Sequence, residues 1–188
     1  MVRLTRIYTR IGDGGSTSLA DGSTTAKTDP RIAVCGAVDE TNACVGLARS
    51  HTAADAELDA ALARIQNELF DLGADFATPT AAEREGLRIV EAQVARLETE
   101  IDAMNARQAP LSSFVLPGGS PAAAALHLAR TVCRRAERDA WALNESGAGV
   151  NAIALRYLNR LSDLLFVAAR RANGDGAGDV LWRPAATR

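Results

Sequence analysis

Residues 58–76 hold the pattern that most restricts how this chain can fold. Leu58, Leu62, Ile65, Leu69, Leu72 and Phe76 recur at steps of four, three, four, three and four, which sets all six on one side of an α-helix. After an interruption at "TPTAAEREG", Leu87, Val90, Val94, Leu97, Ile101 and Met104 repeat the rhythm. Two stripes of this kind are buried together most simply when helices pack on helices.

Three further segments fit. From "DPRIAVCGAVDETNACVGLARS" onward, Val38, Cys44, Val45 and Ala48 share a side. Ser120 is a candidate N-cap with Pro121 at the first helical position, opening a helix that runs to about residue 143, where "NESGAG" punctuates it. A fifth helix, about residues 150–172, carries Ile153, Tyr157, Leu161, Leu164 and Ala168 and stops at "NGDGAGD". Between the third and fourth, "ARQAPLSSFVLPGGSP" reads as a long connection broken by Pro110, Pro117 and the Gly118–Gly119 pair. Aromatic residues are only 4% of the chain, so the core must close on small aliphatic side chains, which suits helix against helix. The expected fold is all-α: a single-domain, five-helix antiparallel bundle over residues 31–188, preceded by an extended loop over residues 1–30. No strand is expected, and Leu181 and Trp182 of "DVLWRP" are expected to pack back onto the bundle.

Charge and cysteine usage narrow the function. A net charge of −2 argues against a general nucleic-acid binder. Cys35, Cys44 and Cys133 form no CxxC pair and cannot close a full disulfide set, which fits reduced thiols in the cytoplasm. With only His51 and His127, a histidine-rich metal site is excluded. "MVRLTRIYTR" lacks the apolar segment of a signal peptide, and no apolar run is long enough for a membrane span.

Two segments suggest an anion site. "YTRIGDGGSTS" offers Gly12, Gly14 and Gly15 with the hydroxyls of Thr9, Ser16, Thr17 and Ser18. Such glycines let consecutive N–H groups converge on one point. It lacks the lysine of a Walker A loop and the third glycine of GxGxxG, although Lys27 follows downstream. "RTVCRRAERDA" places Arg130, Arg134 and Arg138 one turn apart on a face shared with His127 and Trp141, with Arg135 and Glu137 alongside. The planar fork of arginine suits phosphate and carboxylate oxygens. Acids and amides at Asp39, Glu40, Asn42, Asn159 and Asp163 are available to orient those arginines. No Ser-His-Asp set or cysteine–histidine motif appears. These residues support a site for an anion such as a nucleoside triphosphate without identifying a reaction. A nucleotide hydrolase or phosphotransferase, against which the missing Walker lysine weighs, and a non-enzymatic anion-binding scaffold are the alternatives.

Taken together and in order, "IYTRIGDGGSTSL", "VCGAVDETNACVG", "IQNELFDLGADFATP", "FVLPGGS", "ARTVCRRAER" and "YLNRLSDLLFVAAR" resemble the PduO-type ATP:corrinoid adenosyltransferases, over about residues 7–182. The resemblance implies a homotrimer with active sites between subunits. It also implies transfer of the 5′-deoxyadenosyl group of ATP to cob(I)alamin with release of triphosphate. In that family's pattern Thr9, Arg10, Ile11, Gly12, Thr17 and Ser18 wrap the phosphates with Lys27. Arg134, Arg135, Ala136, Glu137 and Arg138 are the helical ATP contacts, and Asn159 is a further one. Arg130 and Asp39 correspond to a salt bridge across the subunit interface. Phe114 corresponds to the aromatic that keeps the lower ligand off cobalt. Mg²⁺ is expected on the phosphates, and a cobalamin reductase and an adenosylcobalamin-dependent mutase are the implied partners. Ile11, Gly14, Cys35 and Thr41 depart from residues common in relatives.

Overall fold

The computed structural model describes residues 7–79 and 86–188. Residues 1–6, part of the expected N-terminal segment, and residues 80–85, within the expected interruption, lie outside the described residues. Five α-helices form: α1 (Pro30–Arg49), α2 (Ala56–Phe76), α3 (Glu91–Asn105), α4 (Pro121–Leu143) and α5 (Ala152–Ala172). Four are started by side-chain caps. Asp29 accepts from the Arg31 N–H at 2.8 Å, Asp55 from Leu58 at 3.1 Å, Ser120 from Ala123 at 3.1 Å and Asn151 from Ile153 at 3.0 Å. Pro30 and Pro121 occupy first-turn positions, where the missing N–H costs nothing.

Sequence order becomes spatial order through a few cross-links. α2 runs antiparallel to α1: Arg49 meets Asp59 at 2.9 Å, Asn42 donates to the Gln66 carbonyl at 3.0 Å, and Arg31 donates to the Phe76 carbonyl at 2.6 Å. α4 packs on α1 and on α5, and α3 lies along α5. α3 runs in the same direction as α5, since Glu98 pairs with Arg160 and Gln108 donates to the Val167 carbonyl at 2.8 Å. α2 and α3 face each other across arginine bridges, Arg64–Glu100 and Arg96–Glu68, both at 2.7 Å. Among the described residues no helix is long and apolar enough to cross a membrane.

Three details depart from the expected outline. α3 begins at Glu91, so Leu87 and Val90 lie before it and are 62% and 51% exposed, while Ile89 takes the core position. The reason is Asp75: its carboxylate accepts from Arg88 at 2.8 Å and from the Ile89 N–H at 2.8 Å, pinning this segment outside the helix. Gln93 then reaches back to the Val90 N–H at 2.9 Å, half of a capping box, because valine has no oxygen to complete it. Second, the N-terminal segment contains a small antiparallel hairpin, β1 (Ser16–Ser18) with β2 (Thr24–Ala26), Thr17 opposite Thr25. Third, the C-terminal tail pairs with the α3–α4 connection through Val115 and Leu181 rather than with the helical core, and Leu181 and Trp182 stay 39% and 44% exposed.

One ionisable cluster in the core joins α2, α3 and α5. Tyr157 is fully buried and donates to Glu68 at 2.8 Å, while Arg96 donates to the same carboxylate at 2.7 Å. Burial, then the Glu68 charge, pushes the phenol well above its ordinary range. Tyr157→Phe leaves a buried carboxylate oxygen without its donor. It is expected to lower the unfolding free energy by about 1–3 kcal/mol in urea titration with the denaturant slope unchanged. A loss within error would show that the cluster contributes nothing net.

Candidate active site

Backbone turns build the first half of the site. Arg10 takes a left-handed conformation (φ 63°), Ile11–Gly14 form a 3₁₀ turn, and Gly15 (φ 81°) leads into β1. At Gly15 a β-carbon would be strained, which accounts for glycine there. The hairpin then returns the chain so that the Lys27 N–H donates to the Gly15 carbonyl at 2.8 Å. The Lys27 ammonium lies over Gly12, where an added β-carbon would stand 3.1 Å from Nζ. Lys27, fifteen positions downstream, is therefore part of the glycine turn, and Thr17 and Ser18 lie on the adjoining strand. The Arg10 guanidinium stands 5.7 Å from the Tyr8 ring centroid, and Thr9 and Ile11 are exposed. Ala20 donates to the Ala77 carbonyl at 3.0 Å and Thr25 to Asp29 at 2.6 Å, so the hairpin is fastened to the end of α2 and the start of α1.

The arginine face of α4 forms the second half. Arg134 and Arg138 are exposed, and Arg138 donates back to the Arg134 carbonyl at 3.1 Å. Arg135 is neutralised within the chain by Glu40 of α1. Arg130 is different: its Nε is buried with no hydrogen-bond partner among the described residues, and burial followed by Arg134 disfavours its charge. Arg130 and Arg134 line a cavity of about 190 Å³ with Ile101, Ser162, Asp163 and Phe166. Glu137 accepts from the Asn159 amide at 3.0 Å, so the Asn159 carbonyl oxygen is left for another donor. Ala136 is fully buried and points into the core, so only the backbone of that position belongs to the stripe.

Asp39 lies exposed on α1, and Phe114 lies in the α3–α4 connection with its ring 77% exposed. The glycine turn and the Phe114 connection lie at opposite ends of the molecule. Arg31 donates to the Ala148 carbonyl at 3.0 Å, which places the α1 start and its hairpin beside the α4–α5 turn. Ser120 donates to the Ala172 carbonyl at 2.9 Å, which places Phe114's connection at the other end of α4. The 23 residues of α4 separate them by about 33 Å. The structure therefore groups Gly12, Thr17, Ser18 and Lys27, and groups Arg130 with Arg134, but keeps Phe114 away from the glycine turn within one chain.

The family model described as cobalamin adenosyltransferase matches residues 7–172. This chain belongs to the cobalamin adenosyltransferase family. It is 52% identical to the corrinoid adenosyltransferase of Mycobacterium tuberculosis, over all of this chain and 97% of that protein. It is 44% identical to the one from Bacillus subtilis, over 96% and 94% of the two chains. Among solved structures, a variant PduO-type ATP:corrinoid adenosyltransferase from Lactobacillus reuteri complexed with cobalamin and ATP superposes with a TM-score of 0.89. It is 40% identical and covers 95% of this chain and 99% of its own.

The four departures from the family pattern are accommodated. Ile11 is exposed, Gly14 has open space where a side chain would stand, and Thr41 donates to the Ala37 carbonyl at 2.8 Å. Cys35 is half-buried, and burial raises its thiol pKa. Burial raises Cys44 and Cys133 as well, so the three free thiols are held protonated and unsuited to nucleophilic attack.

His127 shares the helical spacing of the stripe, but it is 1% exposed, edge-on to Phe166 at 6.2 Å, and neither ring nitrogen has a partner among the described residues. Burial, then Arg130, lowers its pKa from the ordinary 6.5. The unfolded chain thus binds a proton near pH 6.5 that the folded one refuses. Stability is expected to fall as pH drops through 6.5, and His127→Phe should flatten that part of the profile. An unchanged slope between pH 7 and 5.5 in denaturant titrations of the variant would assign it to other groups.

Proposed function

We propose that this chain transfers the 5′-deoxyadenosyl group of ATP to cob(I)alamin, yielding adenosylcobalamin and inorganic triphosphate. The C5′–O bond of ATP breaks and a cobalt–carbon bond forms; the cobalt(I) electron pair makes the new bond and triphosphate leaves with the old one. The nucleophile belongs to a substrate, so the protein's contribution is placement and charge stabilisation.

The observation that carries this reading is the uncompensated face of α4. Arg135 is neutralised by Glu40, whereas Arg134 stands exposed beside Arg130 at the mouth of a cavity. We assign Arg134, with Arg138, to the triphosphate, where positive charge gains most as the leaving group separates. Thr9, Arg10, Ile11, Gly12, Thr17 and Ser18 supply backbone and hydroxyl donors, and Lys27 a charge, to the same phosphates. Asn159, held by Glu137, contacts ATP. Phe114 stands under the corrinoid and keeps the lower ligand off cobalt, leaving a four-coordinate cobalt(II) that is easier to reduce. Mg²⁺ is held by the phosphates and water, since no group of three or more His, Cys, Asp or Glu side chains suited to a metal occurs among the described residues.

The distance between hairpin and Phe114 supports a site assembled from two copies, as in a homotrimer. The unpaired Arg130 Nε and the exposed Asp39 then meet across the interface. A reductase supplies the electron and a mutase takes the product. The three free cysteines fit a cytoplasmic setting.

The test is spectroscopic adenosylation of reduced cobalamin with ATP. Triphosphate is expected only when corrinoid is present, and Arg134→Ala is expected to lower kcat/KM by about 10²–10³-fold. Phosphate or diphosphate release without corrinoid would identify a hydrolase or phosphotransferase instead. Asp39→Arg or Arg130→Asp alone should weaken both trimer and turnover, measured by sedimentation and by rate, and the double exchange should restore them. Failure of the exchange to restore either would remove that pair from the interface.

A further inference from the structure

The connection that carries Phe114 is tied down at both ends by the last turn of α5. Arg170 donates to the Ala109 carbonyl at 3.0 Å. At the other end the Ser120 N–H donates to Asn173 Oδ1 at 2.9 Å, and Asn173 Nδ2 donates to the Gly118 carbonyl at 3.3 Å. Gly119 sits at φ 102° with Asn173 so close that a β-carbon would overlap its amide, so that anchor accepts only glycine. The same two α5 residues hold the tail. The Arg170–Asp179 ion pair, 2.7 Å, is almost wholly buried, and Asn173 Nδ2 also donates to Asp179 at 3.2 Å.

From Asp179 the tail runs antiparallel to the middle of the connection. Leu116 N–H donates to the Val180 carbonyl and Trp182 N–H to the Phe114 carbonyl, both at 2.8 Å. Ser113 Oγ donates to the Trp182 carbonyl at 2.7 Å. The Trp182 ring stands 5.9 Å from the Phe114 ring, tilted by 56°. Without these links Phe114 would ride on a span free between residues 109 and 118, with an exposed ring able to exchange rotamers. A side chain that must deny cobalt a ligand has to resist being pushed aside, and a swinging ring cannot.

We propose that residues 179–182 form a brace for Phe114, with Trp182 as a positioning residue that fixes the ring against the lower face of the corrinoid. The brace rests on the reading of Phe114 given above. Its function is to convert the buried Arg170–Asp179 anchor into a defined ring orientation at an exposed position.

The test uses the full chain with Mg–ATP and cob(II)alamin, and reads the four-coordinate fraction by electron paramagnetic resonance for wild type, Trp182→Ala, Trp182→Phe and Phe114→Ala. Rates are also compared starting from cob(II)alamin with a reductant and from chemically pre-reduced cob(I)alamin, in which the lower ligand is already absent. Trp182→Ala is expected to cut the four-coordinate fraction and the cobalt(II)-started rate by about tenfold. It is expected to reduce the cobalt(I)-started rate far less, to leave ATP affinity unchanged, and to be rescued by Trp182→Phe. If Phe114→Ala abolishes the four-coordinate signal while Trp182→Ala keeps it, the brace is wrong and the Phe114 reading stands. If Phe114→Ala keeps the signal, both fall. Equal losses from cobalt(I) and cobalt(II) in Trp182→Ala would make the tail a general structural element and overturn the positioning role.

Discussion

α4 keeps two unlike faces apart, and the bundle depends on that division. Its inward side is mostly short: Ala123, Ala129, Ala136 and Ala140 are fully buried, with Leu126 and Cys133 between them. Side chains this small let neighbouring helices approach toward the lower end of the usual interaxial range of about 8–10 Å. The outward side carries Arg130, Arg134 and Arg138, whose repulsion costs roughly 0.2–0.5 kcal/mol per adjacent pair. One fully buried leucine contributes about 1.5–3 kcal/mol, so the packed face easily outweighs the charged one. Arg134 stands exposed on that side, and under the proposed function its charge serves the triphosphate.

Two buried arginines play matching parts at the two ends. Arg31 donates to the Phe76, Ala148 and Gly149 carbonyls, and Arg170 donates to the Ala109 carbonyl while pairing with Asp179. Each satisfies carbonyls near helix ends or connections that would otherwise lack partners. Each end also carries one candidate segment of the proposed site, the glycine turn beside Arg31 and the Phe114 connection beside Arg170. Loops can hold groups accurately here because they are fastened at both ends to helices rather than left as free excursions.

The helices were legible because burial on one side imposes a period close to 3.6, and Leu58 to Phe76 display it without interruption. The start of α3 is hidden in the sequence for a physical reason: Leu87 and Val90 match the period but are exposed, and the decisive contact is a carboxylate on α2 gripping the Ile89 N–H. The hairpin gave little signal, since "STS" and "TTA" have no apolar alternation and are held by backbone pairing. Lys27 and the glycine turn were both noticed, but only the hairpin shows that they meet. The Arg130–Arg134 face was visible as spacing, whereas the neutralisation of Arg135 by Glu40 and the inward turn of His127 and Ala136 required the packing of α1, α4 and α5. Arg170 and Asp179 offered no pattern at all, because their partners lie in two different connections.

The separation of the ends constrains how copies can associate. A site shared between copies sets one copy's glycine turn against the other's Phe114 end, two unlike patches. A heterologous interface joins unlike patches and closes into a ring when the rotation allows, which is the geometry of the proposed trimer. Asp39 is near the middle of α1 and Arg130 near the middle of α4. In the proposed trimer an ion pair between copies at those positions would lie between the two ends and so set how far one copy's glycine turn stands from the neighbour's Phe114. Arg130 is suited to that task because its Nε is already desolvated and lacks a partner among the described residues. Supplying a carboxylate there relieves an existing cost as well as adding an attraction. The same contact that holds the copies together would thereby set the distance over which the adenosyl group is handed across.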